Sequence, residues 1–137
     1  MSSRRHTSRK LAMQALYQGE LRTGDFDVIV QDFLTDSLYQ EETKVWASDL
    51  ARHVWLHKSE LDVLIQKYAI GWELSRINPV DKSILRLAFY ELKFTDLAHT
   101  IVVDEAVEIA KRYSSDDSYR FINGILGQYV KEQCLQD

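Results

Sequence analysis

Cysteine, proline and glycine are all scarce in this 137-residue chain, which holds one Cys, one Pro and five Gly. A single thiol, Cys134, cannot staple a fold, so a disulfide framework of the secreted type is excluded. So little punctuation favours helices joined by short turns, and strand-type alternation is nowhere sustained. No apolar run approaches the roughly 20 residues that a membrane-spanning helix needs. The charged N-terminus leads into Leu11-Ala12-Met13, but Gln14 interrupts that run and Gly19-Glu20 closes it, so it does not read as a secretory leader. The expected location is the cytoplasm, without a membrane partner. Phosphate loop, dinucleotide fingerprint and nucleophile elbow are missing as well. Nothing supports an enzyme, and no cofactor is expected.

What is present is a chain that is 45% hydrophobic and 28% charged, enough apolar residue to bury a core and too little charge for disorder. Its length suits one domain spanning residues 1–137. The net charge of -4 hides an asymmetry. Residues 1–10 carry Arg4, Arg5, Arg9 and Lys10 and no acid, which leaves 13 of the 17 basic and all 21 acidic residues, a net -8, in the remainder. A basic tip on an acidic body points to an anionic partner at one end.

Apolar spacing predicts about seven helices, an all-α fold. The first runs from about Ser3 to Leu21, with Leu11, Ala12, Ala15, Leu16 and Gly19 on one face; Lys10, Met13, Gln14 and Tyr17 form a second face with no obvious reason to be buried. A turn at Thr23-Gly24-Asp25 precedes a short helix from Phe26 to Leu34, and Thr35–Glu41 reads as a loop. A long helical stretch from about Glu42 to Ile70 slips in spacing near His57, where Ser59 is a candidate cap for a second helix. After a connector at Gly71–Ile77, Asn78-Pro79 marks a helix start with an N-cap and a first-turn proline, and Asp81 suits its dipole. Apolar residues on more than one face of that helix place it near the centre of the bundle. A sixth helix over about Thr100–Arg112 carries Val103, Ala106, Val107 and Ala110 as its stripe, and Ser114-Ser115-Asp116-Asp117 caps the last, which uses Phe121, Ile122, Ile125, Leu126 and Tyr129.

The strongest chemical signal is Arg4-Arg5-His6-Thr7-Ser8-Arg9-Lys10 running into a helix that exposes Gln14 and Tyr17. Arg5 and Arg9, four apart, project from one side; guanidinium groups bind phosphate bidentately, and an unstacked base can lie on Tyr17. Four phosphate contacts to a single strand imply a log–log salt slope of roughly -2.8. The same residues also read as a solvated N-terminus with a tyrosine at the core's edge. His53 and His57 have a spacing that can hold zinc, but Val54 stands where a zinc-protease helix needs Glu, so no metal site is expected. Asp104, Glu105 and Glu108, like Asp116 and Asp117, are explained by helix-end electrostatics and solvated faces.

Three stretches, in order and at matching spacing over roughly residues 4–127, together resemble the NusB family. They are Arg5 through Tyr17, Asn78 through Leu92, and Val103 through Tyr113 continued by Ser118 through Leu126. The resemblance implies an all-α domain built from two packed helical subdomains, without catalysis or cofactor. Family members bind the boxA element of nascent RNA together with the small-subunit ribosomal protein that doubles as NusE. The pair helps RNA polymerase read through terminators, notably in ribosomal RNA operons. Carried over by position, RNA binding falls on Arg4, Arg5, Arg9, Lys10 and Tyr17, and on Asp117, Ser118, Arg120 and Phe121 at the start of the last helix. Phe121 reads almost equally as core. The ribosomal partner falls on the middle helices, where Asp81 and Glu91 occupy matching positions, whereas Arg86 reads as an internal ion-pair residue. Departures are His6-Thr7-Ser8 within the arginine run, Ala98 where a proline is common and Asp104 where asparagine is common.

Two other readings compete. A helical protein-interaction adaptor without an RNA role predicts that charge reversal at Arg5 and Arg9 leaves activity intact. An accessory domain of a cytosine-type RNA methyltransferase requires a glycine-rich cofactor-binding region, which a chain ending at Asp137 does not offer. Monomer and homodimer both remain open.

Overall fold

The structure, a computed structural model, describes residues 2–35 and 38–136. Met1 and Asp137, at the ends of the expected domain, and Asp36 and Ser37, inside the expected loop at Thr35–Glu41, lie outside the described residues. Among these residues there are seven α-helices, one 3-10 turn and no strand. The chain divides into two compact units, Met1–His57 and Lys58–Asp137.

The first unit contains α1 (Ser2–Leu21), α2 (Phe26–Thr35) and α3 (Glu41–Leu56), with α1 packed on both others. Leu11, Ala12, Ala15 and Leu16 of α1 are buried, as are Ile29 and Val30 of α2 and Ala47, Ala51 and Val54 of α3. Each fully buried Leu or Val side chain stabilises the fold by about 1.5–3 kcal/mol before entropy is counted. Met13 corrects the expected second face, being buried with the first. Small residues let the helices approach closely. A methyl on Gly19 would lie 2.6 Å from Phe26 Cε1 and 2.9 Å from Trp55 Cζ3. Those two rings stack face to face with centroids 4.3 Å apart, so Gly19 makes room for their pair against α1.

The expected break occurs at His57, whose backbone leaves the helical region while its N–H still bonds to the carbonyls of His53 and Val54. The next helix begins at Lys58, so Ser59 lies inside it and is not its cap.

The second unit contains α4 (Lys58–Tyr68), a 3-10 turn (Leu74–Arg76), α5 (Pro79–Phe94), α6 (His99–Tyr113) and α7 (Ser118–Gln136). Asn78 caps α5 as expected: its Oδ1 accepts the Asp81 N–H at 2.9 Å, and Pro79 takes the first-turn position where no donor is needed. Ten of the sixteen residues of α5 are buried, and it packs against α4, α6 and α7. Arg86 is an internal ion-pair residue, bound through both ends of its fork to Asp62 at 2.7 and 3.0 Å. On α6 the buried residues are Val102, Ala106, Ile109 and Ala110. Val103 and Val107 are only half-buried, so the inward stripe is rotated from the expected one. On α7, Ile122, Ile125, Leu126 and Tyr129 are buried as expected.

Tyr68, Phe89 and Tyr129 form an aromatic cluster, with Tyr129 edge-on to both others at 5.6 and 5.2 Å. The Tyr68 hydroxyl also bonds to the Glu132 carboxylate. Burial, then that bond and the negative charge behind it, push the Tyr68 hydroxyl up to about 12.

Candidate nucleic-acid interface

The N-terminal turns of α1 carry the basic residues, and α3 supplies what they rest on. Arg4 and Arg5 are exposed. The Arg5 guanidinium lies over the Trp46 ring, 4.3 Å from its centroid, and the Arg9 guanidinium faces the same ring at 5.6 Å. Arg4 pairs with Glu42 at 3.2 Å, and Lys10 reaches over the Tyr39 ring at 4.7 Å. The Ser8 hydroxyl donates to the Thr43 carbonyl at 3.2 Å, fastening the helix to the start of α3. A cleft of about 800 Å³ opens beside this contact, with Arg4, Arg5, Trp46 and Asp49 among its walls. Gln14 and Tyr17 are half-buried further along α1.

Arg9 departs from the expectation of four solvent-facing cations. It is 4% exposed, so its guanidinium belongs to the aromatic contact and not to an open surface. Trp46 and Glu42 were missed as site residues. Trp46 reads in sequence as an apolar anchor of a long helix, and only the fold brings it beneath Arg5. Arg5 and Arg9 at one-turn spacing were the available hint that something flat lies under them.

The second group of candidates lies in the other unit. Ser118 is buried, and its hydroxyl donates to Asp81 Oδ2 at 2.8 Å. Asp81 Oδ1 accepts from Ser114 at 2.6 Å, and Asn78 Nδ2 donates to Oδ2 at 3.0 Å. The Asp81 carboxylate therefore ties the N-terminus of α5 to that of α7. Asp81, a partner candidate by position, is 5% exposed, and with its oxygens accepting these internal bonds its side chain supports the fold. Glu91, the other partner candidate, is 3% exposed. Ser118, expected to border RNA, also faces inward.

Asp117 and Arg120 are exposed. Arg120 donates through Nε to the Tyr119 hydroxyl at 3.1 Å, and Lys111 approaches the Tyr119 ring at 5.1 Å. Phe121 is half-buried and meets Trp72 edge to face, with centroids 5.6 Å apart. The choice between core and surface for Phe121 thus resolves into a half-buried ring packed against Trp72. Trp72 was missed because its segment reads as a bare connector.

The remaining candidates fall into ordinary roles. The His53 and His57 rings each contact the backbone carbonyl four residues earlier, at 2.7 and 2.9 Å. Among the described residues no three His, Cys, Asp or Glu side chains gather as a metal site. Cys134 is exposed, 3.9 Å from His99 Nδ1. Among the same residues no helix is long and apolar enough to cross a membrane.

Residues 6–131 match the sequence profile of the NusB family. The chain belongs to the NusB family. Transcription antitermination protein NusB of Acetivibrio thermocellus is 40% identical over 96% of this chain and 91% of its own length. The Bacillus subtilis protein of the same name is 36% identical over 90% and 92%. The structure of T. maritima NusB, 39% identical, superposes with a TM-score of 0.84 over 93% of this chain and 91% of that one. The NusB fold is also shared with a chain from a complex of antitermination factors NusB and NusE with double-stranded RNA. That chain has a TM-score of 0.85 over 96% of this chain and 99% of its own, at 24% identity. Both NusB comparisons agree with the all-α reading and cover both units.

Proposed function

We propose that this chain is a transcription antitermination factor. It binds boxA-type single-stranded RNA together with the small-subunit ribosomal protein NusE. It thereby promotes read-through by RNA polymerase within an antitermination complex, notably in ribosomal RNA operons. It acts by binding, in the cytoplasm, without catalysis, and its two units serve as one RNA-binding domain over residues 1–137. The observation that carries the reading is the acid-free basic turn of α1, held against Trp46 and Tyr39, in a chain whose net charge is -4. Its relatives' name supports the role, and the complex of NusB and NusE with double-stranded RNA that contains a neighbour of the same fold supports the partners.

Arg4, Arg5 and Lys10 take phosphates; Arg9 reinforces them through the shared ring. Gln14, Tyr17 and Phe121 contact bases, and Arg120 adds a cation at the start of α7. NusE meets the exposed faces of the middle helices, with Asp81 and Glu91 as buried supports. Two ligands on one scaffold raise affinity and specificity over either alone. The test is fluorescence anisotropy with a labelled boxA-like RNA and a scrambled control, with and without NusE, over a range of salt. Preference for boxA that sharpens with NusE and weakens with salt supports the reading. No preference, even with a folded NusE complex, supports the protein-interaction adaptor instead.

A further inference from the structure

The second unit contains a small cleft that the sequence did not announce. It has a volume of about 240 Å³, and its walls include Trp72, Phe121, Ile77, Arg76, Ser115 and Asp117. Trp72 is 50% exposed although it is the largest side-chain type. Its position is fixed by its surroundings. Gly71, at φ 85°, turns the chain out of α4 in a conformation that side chains resist. Gln66 then clamps the segment, donating to the Trp72 carbonyl and accepting the Leu74 N–H at 2.9 Å. Phe121 braces the indole edge to face, at 64° between planes, which leaves an indole surface to line the cleft.

We propose that this cleft is a nucleobase subsite in which an unpaired base of the bound RNA stacks on Trp72 against the Phe121 edge. The inference rests on the RNA-binding reading above and adds to it a residue and a place. Flat, apolar and pre-positioned walls suit a π-face, and stacking on aromatic side chains is tolerant of base identity. Charge separates base from phosphate. Two carboxylates, Asp81 and Asp117, line the cleft against one guanidinium, Arg76, so an uncharged ring enters more readily than a phosphate. Arg76, held only loosely by Glu73 at 4.0 Å, is available to the flanking backbone. The Ser115 hydroxyl and Asp117 carboxylate at the wall offer hydrogen-bonding partners to the base edge.

The full chain, W72L and W72F are titrated with a labelled boxA RNA. They are also titrated with a series of the same RNA in which each base in turn is replaced by an abasic site. W72L is expected to bind the intact RNA roughly 5- to 150-fold more weakly, the range for losing one stacked base. Its salt slope stays unchanged because no phosphate contact is lost. W72F recovers most of the affinity. At one abasic position wild type and W72L become equal, which identifies the stacked base. Equal binding of intact RNA by wild type and W72L overturns the subsite while leaving the RNA-binding reading standing. A W72L loss that persists at every abasic position overturns it too. Wild type that binds no RNA removes both readings. W72L that keeps RNA but loses NusE makes the cleft a protein contact and refutes the proposal. Circular dichroism checks the fold; if W72L does not fold, a smaller W72F loss confined to one position supports the subsite, and none overturns it.

Discussion

Asp117 stands exposed at the entrance to α7, on the wall of the Trp72 cleft. On the proposed reading RNA passes close to this carboxylate, whose repulsion of phosphate is only partly screened within a Debye length of about 10 Å at 0.1 M salt. Asp117→Asn keeps the shape and removes the charge, so it should tighten RNA binding in an anisotropy titration; unchanged or weakened affinity would remove that role. Side chains of the same type have separate fates in this molecule. Arg5 and Arg9 were indistinguishable in sequence, one turn apart on the same helix, yet one is exposed and the other sealed against Trp46. Asp81 and Asp117 both read as acids at a helix start, yet Asp117 is exposed while Asp81 knits two helix ends together. Burial at a single position depends on what another segment brings to it, and that information is not local.

Helix α5 shows what was legible and why. Its start was readable because Asn78, Pro79 and Asp81 are adjacent, and capping is a contact between neighbours in sequence. Asn78→Ala removes the cap and one donor to Asp81. It should cost about 1–2 kcal/mol in urea unfolding, with the slope unchanged, while an exposed Asn such as Asn123 tolerates the change. The face of α6 was misread because Val102 and Val103, and again Val107 and Ile109, are all apolar, so composition alone does not say which stripe turns inward. The aromatic cluster joining α4, α5 and α7 makes a prediction at alkaline pH. Tyr68 titrates at about 12 in the folded chain against 10.0 unfolded, so folding favours its protonated form. That contribution is complete below pH 10 and is lost as pH rises from 10 to 12. Thermal melts across this window should show a decline that Tyr68→Phe reduces; an identical decline in the variant would assign it to other groups.

At the scale of the whole molecule, the acidic body and basic tip seen in composition remain, but fewer cations face outward than were counted. With Arg9 buried, the basic turn of α1 offers three cations in place of four, so on the proposed reading its share of the salt slope for single-stranded RNA should be about -2.1 instead of -2.8. A slope that shrinks by about 0.7 on Arg9→Gln would mean that Arg9 leaves Trp46 when RNA binds; an unchanged slope would keep it on the ring. Helix number, order and the family resemblance were all readable because they rest on periodicity and ordered motifs. Trp46 and Trp72 were not, because their partners sit on distant segments. The Arg4–Glu42 pair carries a consequence for timing. On the proposed reading an arriving phosphate displaces the Glu42 carboxylate, which stands ready to return as the phosphate leaves. Exchange of one anion for another makes both capture and release rapid, while long-range attraction still speeds arrival. Dwell time is then set by a second contact made before the first is lost. On the proposed reading a protein built this way is a coincidence detector: it passes over a lone stretch of transcript and holds one that arrives together with its second ligand.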